Sequence, residues 1–217
     1  MRLKKSGPER QAINWALRKK KPWAVDSSAS PYRRDPRAAE ITAFKVRLKA
    51  FHLTMQGERC CYCRVPLTAR NIETDREHIV PKDLFKRFTY EVFNTSVACK
   101  TCNMSVKNGR TEHLRRYRRT SGLQSKDISD ERNYNIVHPN IHDWHEHVDL
   151  FAEEVGRSVV RIYYPLTWRG RFTYEFFKLG KLEIFNNTQA QKPLGAKKRH
   201  RAADPAVMEI AARFGQK

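Results

Sequence analysis

The sequence predicts an α+β fold. Apolar residues recur at helical spacing between residues 36 and 55, whereas short β-branched and aromatic runs fill residues 158–185. Two Cys-x-x-Cys pairs lie between these regions. We therefore expect an N-terminal helical extension over 1–57, a core over 58–119, and a module with a helix and antiparallel strands over 120–188. A basic linker and a short C-terminal helix are expected over 189–217.

The composition favours a polyanionic partner. The 217 residues contain 43 Lys and Arg against 23 Asp and Glu, which gives a formal net charge of +20. Such a charge attracts nucleic acid, although a ribosomal location or an anionic membrane surface would also suit it. The basic N-terminus is not followed by the apolar stretch of a signal peptide, and no run reaches the roughly 18 apolar residues of a membrane span. A cytoplasmic location without membrane contact is the expectation.

The N-terminal extension has signals for two helices. A short helix is expected over residues 8–18, where the basic run at 18–21 and Pro22 end it. A polar loop follows. Asp35 can then cap, and Pro36 can start, a longer helix that ends at Gly57. Its expected apolar face consists of Ile41, Phe44, Leu48, Phe51 and Met55.

The cysteines indicate a metal site. Cys60 and Cys63 form one Cys-x-x-Cys pair, and Cys99 and Cys102 form another. In the cytosol such thiols are more often metal ligands than disulfides, and four sulfur ligands favour Zn²⁺. Four buried cysteines without a metal, or a redox pair, are the alternatives. Cys61 is expected to be a packed thiol outside the site.

The 35 residues between the cysteine pairs exceed the spacing of an ordinary zinc ribbon. They contain the stretch ETDREHIVP, which groups Asp75 and Glu77 with His78. Acids repel phosphates, so an acidic cluster in a basic nucleic-acid-binding chain indicates a divalent cation between protein and phosphate. A surface ion pair is the plainer interpretation of a Glu-His dipeptide.

EHIVP between the cysteine pairs, with Asn94 and then Asn103 directly after the last cysteine, resembles the HNH endonucleases of the ββα-metal class. The resemblance covers about residues 58–110. It implies a hairpin and a helix around one catalytic Mg²⁺ or similar ion, braced by a separate zinc site of four cysteines. It also implies that His78 is the general base, that Glu77 and Asn103 hold the catalytic metal, and that Asn94 orders the loop near the histidine. Asp75 is expected to be an auxiliary acid.

The resemblance implies metal-dependent hydrolysis of DNA phosphodiester bonds that leaves 5′-phosphate and 3′-hydroxyl ends. Basic residues downstream of the site are candidates for phosphate binding. They are Lys107, Arg110, Arg115, Arg116, Arg118 and Arg119. A zinc-knuckle protein that binds nucleic acid without cutting it, or a nuclease that acts on RNA, are the alternative hypotheses.

The C-terminal half predicts a different structure. Asn140 or Asp143 can start a helix, and residues 158–166, 171–179 and 181–185 are expected to form a three-stranded antiparallel meander. His138, His142, His145 and His147 are more consistent with packing than with a second metal site. The layout is similar to that of HNH partners in Septu-type anti-phage systems, which implies a role in antiviral defence and an ATPase partner.

Overall fold

The computed structural model describes residues 3–68, 74–115, 126–155 and 158–186. The chain divides into two compact units, Met1–Asp143 and Trp144–Lys217. The described residues form helices and two small antiparallel sheets, so the predicted α+β class is confirmed. Within those ranges none of the helices combines the length and the hydrophobicity needed to cross a bilayer.

Helix α1 spans Gly7–Leu17, close to its predicted position. The Ser6 hydroxyl accepts a hydrogen bond from the backbone N–H of Glu9, and the Glu9 carboxylate accepts one from the backbone N–H of Ser6. This reciprocal pair is a capping box, which satisfies two N–H groups that the helix itself leaves free.

Helix α2 spans Pro36–Met55 and begins as predicted. The Asp35 carboxylate accepts a hydrogen bond of 2.9 Å from the backbone N–H of Arg37. The buried face differs from the prediction at its end, because Met55 is 53 % exposed whereas His52 is buried. The buried stripe therefore continues from Leu48 to His52 instead of to Phe51 and Met55.

The two helices pack against each other and, with Val25 and Tyr90, form a hydrophobic core in the first unit. Burying aliphatic and aromatic side chains in this way is the dominant favourable contribution to folding. The core residues are Ala12, Ile13, Trp15, Ala16, Val25, Ala38, Ile41, Phe44, Leu48 and Tyr90.

A two-stranded hairpin and a helical turn follow. Strand β1, Thr74–His78, pairs antiparallel with strand β2, Thr95–Cys99, and Thr74 lies opposite Cys99. A short π-helix, Thr101–Lys107, follows β2 directly. The long interval between the cysteine pairs therefore contains a hairpin, whose second strand brings Cys99 back to the first cysteine pair.

Helix α2 supports β2 through side-chain hydrogen bonds. The Gln56 amide donates to the Val97 carbonyl at 2.8 Å and accepts from the Val97 N–H at 2.9 Å. His52 Nε2 lies 3.0 Å from Thr95 Oγ1. These contacts occupy the edge of β2 opposite β1, so the strand is held on both sides.

The second unit contains strands β3, Val148–Val155, β4, Ser158–Pro165, and β5, Ile184–Asn186, in the sheet order β3-β4-β5. Helix α3, Trp168–Phe176, interrupts the sequence between β4 and β5. The prediction that residues 171–179 form the middle strand is wrong. The sheet is still antiparallel and three-stranded, because β3 pairs with β4 and supplies the third strand.

Local chemistry accounts for this difference. The Thr167 hydroxyl accepts a hydrogen bond of 3.1 Å from the N–H of Gly170, which is an N-cap contact. A Cβ at Gly170 would lie 1.9 Å from the carbonyl oxygen of His147, so only glycine fits there. The expected helix from Asn140 or Asp143 is also wrong, since a single 3₁₀ turn, Trp144–Glu146, precedes β3. The predicted C-terminal linker and helix lie outside the described residues.

Candidate functional site

The four predicted metal-binding cysteines form one buried cluster. One ligand atom from each of Cys60, Cys63, Cys99 and Cys102 lies within 4.8 Å of the others. Cys63 Sγ and Cys99 Sγ are 3.8 Å apart, which matches the edge of roughly 3.8 Å that a tetrahedron with Zn–S bonds of about 2.3 Å requires. It is far too long for a disulfide bond. The cluster can hold a metal ion such as zinc.

The electrostatics of the cluster also fit a cation. Burial raises the pKa of the Cys60 thiol, but hydrogen bonds from the Cys102, Cys61 and Cys63 thiols outweigh it and hold that pKa well below its usual range. The pKa of Cys102 is raised well above its usual range, chiefly by the hydrogen bond to Cys60. Neighbouring thiolates repel one another, so a divalent cation is what would allow all four to ionise.

Backbone N–H groups complete the cluster. The N–H of Cys99 donates to Cys60 Sγ at 3.3 Å, and the N–H of Cys102 donates to Cys99 Sγ at 3.5 Å. Such donors stabilise thiolates and orient them towards a metal. Cys61 is buried but stands outside the group of four, and burial raises the pKa of its thiol.

A separate pocket of about 420 Å³ lies at the end of the hairpin. Its lining includes four residues selected from the sequence: Asp75, Glu77, His78 and Asn103. The first three come from β1, and Asn103 comes from the π-helix. The hairpin register thus brings residues that are about 25 positions apart to one cavity.

Asp75 and Asn103 are in direct contact. Asn103 Nδ2 donates to Asp75 Oδ2 at 3.2 Å. Rotation of the amide would break this bond and exchange the nitrogen for the oxygen, which could then share a cation with the carboxylate. Carboxylate and amide oxygens are typical ligands of Mg²⁺ and similar hard cations.

Glu77 is almost completely buried and has one bonded and one unbonded oxygen. Its Oε1 lies 2.7 Å from Lys107 Nζ and accepts a hydrogen bond of 2.9 Å from the Tyr62 hydroxyl. Its Oε2 is buried and has no hydrogen-bond partner among the described residues. Burial raises the pKa of Glu77, and the Lys107 ammonium opposes that shift. An unsatisfied buried oxygen is costly unless a cation or a donor reaches it.

His78 ends β1 and faces the pocket half-buried. Its Nε2 lies 3.0 Å from the carbonyl oxygen of Thr89. A carbonyl only accepts, so Nε2 carries the proton and Nδ1 is left as an acceptor. Burial lowers the pKa of His78 to about 3, with repulsion from Lys82 as a further cause. The ring is therefore neutral at pH 7.

Asn94 fixes the loop after the histidine. Its side chain is buried, accepts a hydrogen bond from the Val80 N–H at 2.8 Å, and donates to the carbonyls of Val80 at 3.1 Å and Phe88 at 3.2 Å. The Ile79 N–H also donates to the Asn94 carbonyl at 2.9 Å. These contacts hold the backbone that leaves His78.

The predicted phosphate-binding residues have different environments. Lys107 is 3 % exposed and donates to the His78 carbonyl at 2.8 Å as well as pairing with Glu77. Because its ammonium is already bonded within the protein, Lys107 holds Glu77 rather than standing free for a phosphate. Arg110 bonds to Glu112, and Arg115 is exposed. Arg116, Arg118 and Arg119 lie outside the described residues.

Several residues that line the pocket carried no sequence signal. Lys45, Arg76 and Lys82 add positive charge to it, and Trp23 and Tyr90 form part of its wall. Lys45 and Trp23 come from the N-terminal helices and their loop, so only the tertiary fold brings them to the site.

The histidines of residues 138–147 do not form a metal site of their own. Within the part of the chain that the structure describes, the four cysteines are the sole close group of three or more candidate ligands. His138 is buried, and its Nδ1 accepts a hydrogen bond from the Asn140 N–H. His147 Nδ1 lies 2.7 Å from Thr167 Oγ1.

The chain matches no protein-family model, no curated protein and no solved structure.

Proposed function

We propose that the protein is a metal-dependent endonuclease of the HNH type that hydrolyses phosphodiester bonds in DNA. The observation that carries the proposal is the convergence of Asp75, Glu77, His78 and Asn103 on one pocket with basic walls. A neutral imidazole beside hard oxygen donors is the set of groups that metal-assisted hydrolysis of a phosphodiester requires. The strand-strand-helix order of residues 74–107 is also that of the ββα-metal class.

The oxygen donors support a divalent cation in this pocket. Glu77 Oε2 has no hydrogen-bond partner within the described ranges, and Asp75 and Asn103 form a second pair of oxygen-bearing groups. These three side chains would hold a hard cation such as Mg²⁺, whereas the thiol cluster would hold Zn²⁺. When bound, the hard cation supplies positive charge to the scissile phosphate and to the leaving 3′-oxygen.

His78 supplies the base in this proposal. Nδ1 accepts the proton of the attacking water, while Nε2–H keeps its hydrogen bond to the Thr89 carbonyl. That bond fixes the ring and stabilises the imidazolium that forms. Burial and repulsion from Lys82 lower the pKa of His78 to about 3. In a substrate complex the phosphodiester would oppose that shift and the cation would reinforce it, so His78 would meet the attacking water as a neutral base.

The remaining predicted residues position these groups. Asn94 fixes the backbone after His78, and Lys107 holds Glu77 and the His78 carbonyl. The thiol cluster, loaded with zinc, would brace β2 and the π-helix that carries Asn103. None of these three elements needs to touch the substrate.

The test is a plasmid-nicking assay with the full-length chain, with and without added Mg²⁺. Replacing His78 with alanine should reduce nicking by at least about 100-fold, the usual contribution of a general base. His145→Ala is the matched control, because His145 is exposed and remote from these groups in sequence. Equal nicking by both variants, or no nicking by the wild-type chain on any DNA, would refute the proposal.

A second set of variants assigns the cation ligands. Asp75→Asn and Glu77→Gln keep the side-chain volume but remove a charge, so each should raise the Mg²⁺ concentration needed for half-maximal nicking. Isothermal titration with Mg²⁺ or Mn²⁺ gives a readout that does not depend on activity. A residue whose variant binds the cation as the wild-type chain does is not a ligand.

A non-catalytic DNA-binding module is the competing hypothesis. It shares the basic surface and the zinc cluster but needs no base, so His78→Ala would change nothing measurable in it. Parallel assays on plasmid DNA, single-stranded DNA and tRNA separate a DNA nuclease from one that acts on RNA.

A further inference from the structure

A second concentration of positive charge lies outside the pocket, in the first unit. Residues 18–21 and 32–37 contain seven basic residues and a single acid, Asp35, which pairs with Arg37 at 2.7 Å. Six of the seven basic side chains are exposed, and the seventh is half-buried. We call this surface the N-terminal basic patch. Its members are Arg18, Lys19, Lys20, Lys21, Arg33, Arg34 and Arg37.

Two aromatic rings hold the two halves of the patch together. Trp15 and Tyr32 are in edge contact, with ring centroids 5.7 Å apart. Lys19 Nζ lies 4.7 Å from the centroid of Tyr32 and 5.2 Å from that of Trp15, and Arg37 Cζ lies 4.6 Å from Trp15. Cation–π contacts of this kind offset part of the repulsion between like charges. The basic residues of the two segments are therefore organised around these rings.

The patch leads directly to the wall of the pocket. Lys21 is followed by Pro22, whose carbonyl accepts a hydrogen bond of 2.5 Å from the Tyr90 hydroxyl. Trp23 comes next and lines the pocket, with Lys82 Nζ 5.7 Å from its ring centroid. Two residues span at most about 7.6 Å between Cα atoms. The exposed Lys21 at the edge of the patch is therefore within about 7.6 Å of main chain of a residue that lines the pocket.

We propose that the N-terminal basic patch binds the sugar-phosphate backbone of duplex DNA next to the phosphate that enters the pocket. This proposal rests on the proposed function. A strand with one phosphate in the pocket must leave along its walls, and its next phosphates meet a surface of exposed guanidinium and ammonium groups. Contacts with phosphates alone carry no sequence information, so the patch adds affinity without specificity.

The aromatic rings decide between duplex and single-stranded substrate. Proteins that bind single strands offer open aromatic faces on which bases stack. Here Trp15 is 9 % exposed, and Tyr32, which is 36 % exposed, has Lys19 Nζ over its ring at 4.7 Å from the centroid. These two rings serve to organise the cations rather than to stack bases, which favours a paired duplex.

The test compares the salt dependence of DNA binding by two variants of equal charge. The patch variant replaces four exposed basic residues with glutamine: Lys20, Lys21, Arg33 and Arg34. The control variant makes the same change at four exposed positions elsewhere: Lys126, Arg171, Lys178 and Lys181. Binding of the full-length chain to a short duplex is measured by fluorescence anisotropy over a range of NaCl concentrations, without added divalent cation, so that cleavage plays no part.

Each phosphate contact contributes about 0.9 to the slope of log Kd against log salt, so the patch variant should lose about 3 to 4 from that slope. The control variant should lose less than about 1. Equal slopes for the two variants would overturn the proposal, as would tighter binding to a single strand than to the duplex. Loss of binding to phosphatidylserine vesicles, with duplex binding unchanged, would assign the patch to a membrane surface instead.

The outcomes for patch and pocket are separate. If the chain binds duplex DNA with the expected salt dependence but never nicks it, the patch proposal is supported and the proposed nuclease activity is refuted. If the patch variant has the same salt dependence as the control variant and nicks DNA fully in a His78-dependent way, the nuclease proposal is supported and the patch proposal is refuted.

Discussion

Replacing Lys107 with alanine should destabilise the protein by about 3 to 5 kcal/mol, because the Glu77 carboxylate would stay buried without its cation. The structure sets this magnitude. Lys107 Nζ lies 2.7 Å from Glu77 Oε1 and 2.8 Å from the His78 carbonyl, and the two side chains are 4 % and 1 % exposed. The loss therefore combines a buried charge pair with a buried hydrogen bond to the backbone.

The assay is urea unfolding of the zinc-loaded protein at pH 7.5, followed by tryptophan fluorescence. Arg132→Ala is the control, since Arg132 pairs with Asp130 at 2.8 Å but is 69 % exposed. It should shift the urea midpoint far less. The double variant Glu77→Gln with Lys107→Met removes both charges at similar volume, so it should recover most of the loss.

The pH dependence gives an independent check. Without Lys107 the pKa of Glu77 rises further, and the folded chain then binds a proton more readily than the unfolded one. The deficit of Lys107→Ala should therefore shrink as pH falls from 7.5 towards 5. A deficit of less than about 1 kcal/mol at pH 7.5, or one that grows at acid pH, would refute the assignment of Lys107 as the buried partner of Glu77.

The site and its supports lead to three further predictions. Cys63→Ser should abolish binding of one Zn²⁺ per chain and lower the melting temperature, whereas Cys61→Ser should retain the metal, as measured by atomic absorption; equal loss in both variants would contradict the ligand set. Burial lowers the pKa of His113 to about 3. Below pH 6.5 the unfolded chain therefore binds a proton at this histidine and the folded chain does not, which should lower the free energy of unfolding by about 2 kcal/mol at pH 5. His113→Gln should flatten the loss of stability between pH 7 and 5 compared with His145→Ala, and an unchanged slope would show that His113 does not titrate in this way. Asn94→Ala leaves the buried N–H and carbonyl of Val80 without their side-chain partner and removes one of two hydrogen bonds to the Phe88 carbonyl, so it should cost about 3 kcal/mol in urea unfolding. Asn135→Ala, which removes only an exposed hydrogen bond to the Glu112 carbonyl, should cause a small change.

The parts of the fold that local chemistry determines could be predicted from the sequence. Asp35 and Pro36 define the start of α2 within a residue, because capping and a fixed φ act over a few positions. The spacing of the cysteines identified the metal-binding group, since two Cys-x-x-Cys pairs in one chain strongly favour a shared metal site.

Residues whose conformation depends on tertiary packing were misjudged. Residues 171–179 are rich in aromatic side chains that favour strands, but strand preference depends strongly on what the chain packs against. The Thr167 cap and the close approach of Gly170 to His147 favour a helix there instead. The cap was visible in the sequence, whereas the backbone contact was not.

The same division applies to the candidate site. Glu77, His78, Asn94 and Asn103 were proposed from EHIVP and two later asparagines, but the partners that hold these side chains had no sequence signal. Tyr62 reaches Glu77 across 15 positions, as its hydrogen bond shows. Lys107 lies still further from Glu77 along the chain, so its role as a buried counter-ion had no local signal. Sequence spacing therefore identifies candidate residues better than it identifies the side chains that hold them.

The thiol cluster and the pocket share structural elements, which links the stability of one to the geometry of the other. Strand β2 runs from Thr95 beside the pocket to Cys99 in the thiol cluster, and the π-helix carries Cys102 immediately before Asn103. Fixing Cys102 Sγ at a tetrahedral metal therefore fixes the start of the turn that directs Asn103 to Asp75. Loss of the thiolate-bound metal should release Asn103 before it disturbs His78, because His78 is held by Thr89 and by the loop that Asn94 supports. In the proposed nuclease the thiol cluster would then affect catalysis only through the position of the Asn103 amide oxygen. Loss of its metal would lower the affinity of the pocket for a cation before it changed the position of the His78 ring.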